Sequence, residues 1–458
     1  MAVKASSPPE PKLKVVVVSC DRWLDDHDDS FWEQVISDDG DYDLMIHMGD
    51  QIYPDALLKA PHANESYEVL VERYRHFYRT AWRRPLMQRI LRRGAHYMLP
   101  DDHDINLGGD YVASDVVLAG RQVFYEYQFQ LRESIVDQDG IPTPGMAADR
   151  IFFARRFHQL GLLFLDLRFQ TMFRFEDSAP LVGTTQHRFV QQQLQDWQRD
   201  GSIEHILVFG SIPLLFQAPW LAEVADRVNE GQYPPHPKML NDTMRLLNVL
   251  HRSPTPSEPR KVRLVFAGDV HLFSAMDVCP TDRTSCLTHV ITSGMTRLST
   301  TLAELKLFLF EWACTHFSSS AVVNPFSGET WYRLFKDEQL FFGRNYAVVD
   351  LWADNARGLE WRGVWERLPK RTRGFWLQLI LDHTYPVVGG ALFGFIGTAV
   401  FWCYYCCGVR RTVAHKPPEG VTNGGSTPRQ SSEPAGPRSR RAGKEKLGNQ
   451  TQRKPSDR

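Results

Sequence analysis

No Gly-rich phosphate loop, no dinucleotide-binding glycine fingerprint and no HExxH string occurs in the 458 residues. The common signatures of nucleotide binding, hydride transfer and zinc proteolysis are therefore missing. Net charge is missing too. Lys and Arg (53) balance Asp and Glu (54) to leave -1, which excludes charge-driven steering of the whole protein, and no specific nucleic-acid binding is expected. Cysteine is sparse at seven, three of them crowded at Cys403, Cys406 and Cys407. Residues 1–11 are polar and Pro-rich with no apolar run, so no secretory signal is expected there. In a chain this long without such a signal, reduced thiols are expected rather than a disulfide framework, with a Cys279–Cys286 loop disulfide as the alternative. No internal repeat is evident.

What is present is an ordinary apolar share of 43%, in a length that suits two or three domains or one large α/β unit. Short aliphatic runs recur at residues 14–18 (KVVVV), 43–48 (DLMIHM), 161–166 (GLLFLD), 205–210 (HILVFG), 263–268 (RLVFAG), 289–293 (HVITS) and 345–351 (NYAVVDL). Such near-continuous runs fit strands covered on both faces. Residues 67–91 carry apolar and aromatic side chains at three- and four-residue spacing, and residues 184–197 open on Thr184 as an N-cap before a Gln-rich helical pattern. Strands alternating with helices predict a layered α/β fold. The Pro/Ser segment 253–259 reads as an exposed connection.

Residues 385–407 (YPVVGGALFGFIGTAVFWCYYCC) hold no charge over ~23 residues, enough to cross a bilayer as a helix. Lys370, Arg371 and Arg373 flank one end and Arg410 and Arg411 the other, with Trp402, Tyr404 and Tyr405 where interfacial aromatics are enriched. A buried core helix fits less well, because the run is apolar all round and its tail cannot pack. Pro386, Gly389 and Gly390 also suit a re-entrant or embedded helix. Cys403, Cys406 and Cys407 are candidates for palmitoylation or for plain packing. The expected organisation is a disordered 1–12, a folded 13–373, a transmembrane or membrane-embedded helix in 374–411 and a disordered basic tail, 412–458. One C-terminal anchor in the lipid bilayer follows, with the folded region expected to face the cytosol and the side of the tail left open.

Four acidic and histidine signatures each end a hydrophobic run: Ser19-Cys20, Gly49-Asp50-Gln51-Ile52-Tyr53, Asp101-Asp102-His103-Asp104 and Gly268-Asp269-Val270-His271. Carboxylates, imidazoles, a phenol and a thiol hold hard and borderline metal ions. Each signal has a plainer reading. A Gly-Asp pair after a strand is a common turn, and Asp102-His103 reads equally as an acidic helix cap with a stray imidazole. Cys20 reads as a buried small apolar side chain. Asp269 and His271 alternate along an extended loop and need not face the same ion.

Taken in order, the four strings SC, GDQIY, DDHD and GDVH resemble the alkaline-phosphatase-D-like (PhoD-like) branch of the calcineurin-like metallophosphoesterase superfamily. Asp166-Leu167-Arg168, the 183–194 stretch (GTTQHRFVQQQL), residues 210–214 (GSIPL) and residues 292–294 look like further pieces of the same pattern, over roughly residues 13 to 351. The resemblance implies an α/β four-layer sandwich of two mixed sheets flanked by helices, with residues 13–373 as the catalytic domain. It implies an iron-type ion, Fe3+, held by Cys20, Asp50, Tyr53 and Asp269. Calcium or other divalent ions would share Asp50 and also use Asp102. It implies His103 as general acid, His271 near metal or substrate oxygens, and Arg168 as a phosphate clamp. The reaction so implied is hydrolysis of a phosphomonoester or phosphodiester by a metal-bound hydroxide. Asp21-Arg22-Trp23 departs from the superfamily's Asp-x-His, which leaves that role to the Cys20 thiol. The alternative class is a membrane-anchored, non-catalytic binding or scaffold protein that keeps the fold.

Two other features mimic function. Residues 25–29 (DDHDD) read as a solvated loop rather than a calcium site. The eight arginines from Arg73 to Arg93 read as a solvated helix face paired with acidic neighbours.

Overall fold

The computed structural model describes residues 12–24, 29–58, 65–105, 115–128, 151–168, 181–220, 222–223, 234–252, 259–281, 285–296, 321–323, 328–336, 341, 343–352 and 358–366. All belong to one compact unit, Met1–Arg367. The apolar segment 385–407, the basic tail, residues 1–11 and the Pro/Ser segment 253–258 lie outside the described residues. Among the described residues no helix is long and apolar enough to cross a membrane.

Thirteen described strands form two mixed sheets. The first comprises β1 (Leu13–Val18), β2 (Leu44–His47), β3 (Ala95–Met98), β12 (Asn345–Leu351) and β13 (Leu359–Trp365), in the order β13-β12-β1-β2-β3. The second holds β4 (Phe153–Phe157), β5 (Leu160–Phe164), β6 (His205–Phe209), β7 (Val262–Ala267), β8 (Phe273–Pro280), β9 (Leu287–Thr292), β10 (Ala321–Val323) and β11 (Thr330–Phe335), in the order β10-β11-β8-β9-β7-β6-β5-β4. β1, β2 and β3 run parallel, as do β5, β6, β7 and β9. Parallel neighbours bring their carboxyl ends to one edge, where open α/β sheets place ligands. All seven predicted runs are strands, and six of those seven strands are in these parallel groups; the seventh, β12, pairs antiparallel with β1.

The helices are α1 (Ser30–Asp39), α2 (Tyr67–Trp82), α3 (Pro85–Leu91), the single turn α4 (Asp102–Ile105), α5 (Asp115–Tyr127), α6 (Gly183–Arg199) and α7 (Leu240–His251). One apolar cluster joins both sheets: Val15, Val17, Leu44 and Ile46 meet Leu162, Leu207, Leu264 and Val290. Alternate residues of the same strands face outward. Val16, Val18 and Met45 pack on Phe31, Trp32 and Ile90 from α1 and α3, while Leu163, Val208 and Val265 pack with Val190, Leu246 and Leu250 from α6 and α7. Each fully buried Val or Leu contributes about 1.5–3 kcal/mol by area removed from water. Inside the sandwich Phe153, Phe164, Phe209 and Phe266 sit in register on adjacent strands, with ring centroids 4.1, 5.1 and 5.4 Å apart. Such cross-strand aromatic pairs pin the register that sets where each strand ends.

Several expectations are corrected. The 67–91 helix is two, because Pro85 lacks an N–H and opens α3. Helix α6 begins at Gly183, which has φ 64°, so Thr184 lies inside it and caps nothing. The expectation of reduced thiols fails at Cys279 and Cys286, which are disulfide-bonded. β8 and β9 form an antiparallel pair whose last registered partners are Val278 and Leu287, so the next two residues face each other. Four of the eight arginines have acidic partners: Arg73 with Glu65, Arg75 with Glu126 and Arg79 with Glu72 on α2, and Arg84, between α2 and α3, with Asp21 and Asp29.

Candidate metal centre

Five of the motifs singled out in the sequence leave a parallel strand at its carboxyl end. Ser19-Cys20 follows β1, Asp50 to Tyr53 follow β2, Asp101 to Asp104 follow β3, Asp166 to Arg168 follow β5 and Asp269 to His271 follow β7. The turns are sharp. Cys20, Asp50, Asp269 and His271 adopt left-handed φ of 64°, 60°, 73° and 52°, a region that non-glycine residues enter at a cost of roughly 1–2 kcal/mol each. Backbone bonds hold them there: Cys20 N–H donates to Gly49 O (3.1 Å), Asp21 N–H to Asp50 O (2.9 Å) and His271 N–H to Ser293 Oγ (2.9 Å). Gly49 has φ 104°, and a Cβ there would stand 2.3 Å from that of Asp101. Glycine thus lets the β2 and β3 loops touch.

Three groups of donors converge so closely that one atom from each residue lies within 4.8 Å of the others: Cys20–Asp50–His271, Asp50–Asp102–His103 and Asp50–Asp101–Asp102–Asp269. Asp50 belongs to all three. Its Oδ2 accepts from Tyr53 Oη at 3.0 Å and from Cys20 Sγ at 3.5 Å, and its Oδ1 accepts from His103 N–H at 3.3 Å. Asp104 accepts three backbone N–H bonds, from Asp50 (2.7 Å), Gln51 (3.0 Å) and Asp101 (3.0 Å), and so ties the two acidic loops together. Arg168 donates through Nε to Asp101 Oδ1, while its Nη2 lies 3.2 Å from Asp269 and 3.6 Å from Asp102. His103 pairs through Nδ1 with Asp55, and its ring lies 4.2 Å from that of Tyr53.

Crowded buried carboxylates repel one another and resist ionisation. Burial, with Asp102, Asp104 and Asp269 adding to it against His103, pushes Asp50 up to about 8. Asp101 is raised by burial against the pull of Arg168, and Cys20 by burial and by Asp50. Burial pushes His103 down, but Asp50, Asp102 and the bond to Asp55 outweigh it and lift the imidazole to about 10. A bound cation reverses this logic by favouring every anion around it. The unmet polar atoms fit that: Asp101 Oδ2 and Asp102 Oδ1 are buried without a hydrogen-bond partner. The donor set mixes a thiol, a phenol and imidazoles with several carboxylate oxygens, side chains that hold hard and borderline metal ions.

The expected residues all meet here, with some division among them. His271 groups with Cys20 and Asp50, and Asp269 with the carboxylates. Arg168 lies among three carboxylates. Three contributors were not picked out from the sequence. Asp101 supplies a carboxylate to the four-member group, Asp104 the backbone tie and Asp55 the imidazole partner. Asp101 and Asp104 stand inside the recognised DDHD string three residues apart, and Asp55 stands two residues beyond Tyr53. Proximity to the motifs was the available signal.

No protein-family model matches the chain, and no curated protein does. Among solved structures the chain is similar to PhoD, at 13% identity and a TM-score of 0.46, over 79% of this chain and 73% of that one. It is similar to the purple acid phosphatase PPD1 of yellow lupin (Lupinus luteus), at 13% identity and 0.41, over 78% of this chain and 53% of that one. It is also similar to GAP50, the anchor in the inner membrane complex of Plasmodium, at 10% identity and 0.38, over 78% and 85%. These likenesses are distant, and the chemistry of the site rests on its own side chains.

Proposed function

We propose that the chain is a metal-dependent hydrolase of phosphate esters, built on a metallophosphoesterase-type sandwich and held at a membrane by residues 385–407. The observation that carries this is the convergence of the buried Asp50 and Asp101 with the half-buried Asp102 and Asp269, beside a thiol, a phenol and two imidazoles. Cys20, Asp50 and Tyr53, completed by Asp269 or His271, would hold a trivalent iron. Asp50 and Asp102, with the neighbouring carboxylates, would hold calcium or another divalent ion. Ions bound there supply Lewis-acid neutralisation of phosphoryl oxygens and an acidified water.

The protein's own groups do the rest. Asp55 fixes the Nδ1 side of His103, which leaves Nε2 to hand a proton to the departing alkoxide. Arg168, pre-set by Asp101, presents a planar cation that complements a phosphoryl group. Metal analysis of the purified full chain, paired with phosphate release from monoester and diester model substrates, tests this. Bound iron with a tyrosinate charge-transfer band that Tyr53→Phe removes is the expected result, together with turnover of at least one ester. Active protein free of metal after dialysis overturns it. Metal-loaded protein with no turnover on either ester supports the scaffold reading instead.

A further inference from the structure

The sulfur of Cys20 is held between two hydroxyls. Ser19 Oγ lies 3.0 Å from Sγ and Ser293 Oγ lies 3.1 Å from it. All three side chains are buried, Cys20 and Ser293 completely. A thiolate that binds a cation carries no proton, so both contacts must then be O–H donated to sulfur. Ser293 Oγ also accepts the His271 backbone N–H at 2.9 Å, which leaves its one proton available to point at Cys20. Ser19 Oγ has Cys20 as its hydrogen-bond partner, and the space for it is made by Gly268, where a Cβ would fall 2.2 Å from that oxygen.

Both hydroxyls are fixed from outside. Asn345 on β12 accepts the Ser293 N–H (3.0 Å) and donates to Ser293 O and to Gly343 O (2.7 Å). Met295 N–H donates to Ser19 O at 2.9 Å. The β9 loop, the β1 loop and the glycine of the β7 loop therefore cooperate to place two hydroxyls against one sulfur. Nothing in the proton-transfer chemistry above uses this arrangement.

Resting on the metal reading of Cys20, we propose that Ser19 and Ser293 are a pair of positioning hydroxyls that set how strongly the Cys20 sulfur donates to the ion it holds. Hydrogen bonds to a ligating sulfur withdraw electron density from it, and outer-shell partners of this kind tune both affinity and redox preference. The two serines thus moderate a donor that, bare, would bind an oxidised ion more covalently.

Cobalt(II) added to the purified full chain is the probe, since its sulfur-to-metal charge-transfer band reports the sulfur directly and needs no turnover. Wild type is expected to show that band, and Cys20→Ala to lack it. Ser19→Ala and Ser293→Ala each move the band to longer wavelength, the double substitution moves it further, and Ser293→Thr, which keeps a hydroxyl, restores it. Cobalt affinity is expected to change 10–100-fold in each alanine variant. Absence of the band in wild type overturns the metal reading of Cys20. A band present in wild type and unmoved in Ser19→Ala overturns the present proposal alone. Ser293→Ala also deprives the His271 N–H of its acceptor, so Ser19→Ala, which removes only the contact to sulfur, decides the matter if the other variant fails to fold.

Discussion

Replacing Asp104 should damage the protein more than replacing any single ligand. Its buried carboxylate accepts the N–H groups of Asp50, Gln51 and Asp101 at 2.7, 3.0 and 3.0 Å, so two strand-end loops share one acceptor. Asp104→Ala leaves three buried N–H donors unmet, at about 1–3 kcal/mol each, or about 3–9 kcal/mol in all. Part is returned, because a buried carboxyl no longer has to be desolvated. That burial is what lifts Asp104 to about 7 against the pull of the three donors. A net loss of about 3–5 kcal/mol follows, a large share of the 5–15 kcal/mol that domains possess. Asp104→Asn keeps the shape and one oxygen for two of the donors but turns an amide N–H toward the third, so it should lose about 1–3 kcal/mol. Urea unfolding of the full chain, with unchanged slope, should rank wild type above Asn above Ala. Metal content should fall in the same order, since Asp50 and Asp101 lose their common reference point. An alanine variant with wild-type midpoint and metal content would refute the claim that this carboxylate ties the loops.

Gly49→Ala should cost several kcal/mol and lower metal content, because its φ is 104° and its Cβ meets the Asp101 backbone; a stable, metal-replete variant would contradict the close approach. Asp55→Asn and His103→Ala should depress kcat while metal content stays near that of wild type; equal metal loss in His103→Ala and Asp50→Ala would make His103 a ligand. In chelated protein, Asp50 and Asp104 have folded values of about 8 and about 7 against an ordinary 3.8. Their contribution to stability is full below 3.8 and is lost as pH rises through 7 to 8, so the unfolding midpoint should fall over that window, and less so with metal; parallel pH profiles with and without metal would refute it. Alkylation trapping in intact cells should find Cys279 and Cys286 bonded if the folded unit faces an oxidising compartment and reduced if it faces the cytosol; protease protection on sealed membranes gives the side independently.

The parallel strands other than β3 were legible because strands covered on both faces are apolar without interruption, as in the Val15–Val18 run and in 205–209. Strands of mixed composition were not. β13 (LEWRGVW) mixes charge with tryptophan, and β11 (TWYRLF) buries Arg333, which donates to Phe216 O at 2.6 Å. Such segments look polar until their partners are known. The candidate metal-binding side chains stand out in the sequence for a related reason, since Cys20, Asp50 and Asp269 each stand directly behind a recognised run. Asp104 was not, because its work is done on backbone N–H groups, and backbone leaves no mark in a sequence. The left-handed φ of Cys20, Asp50, Asp269 and His271 was hidden for the same cause.

The position of β1 has a consequence for biogenesis. β1 lies in the middle of its sheet, with β2 on one side and β12 on the other, and Leu13 registers against Leu351. As the chain leaves the ribosome, β1 and β2 can pair early, but the β12 side of β1 stays open until nearly the whole folded unit has been made. Through that interval Val15 to Val18 form an exposed, strongly β-prone edge of the kind that seeds aggregation. Ser293, which anchors the Cys20 loop, also depends on Asn345 at the start of the same late strand. A nascent or truncated chain that stops short of β12 should therefore be a client for chaperones, and the metal centre should mature after synthesis of the folded unit rather than during it.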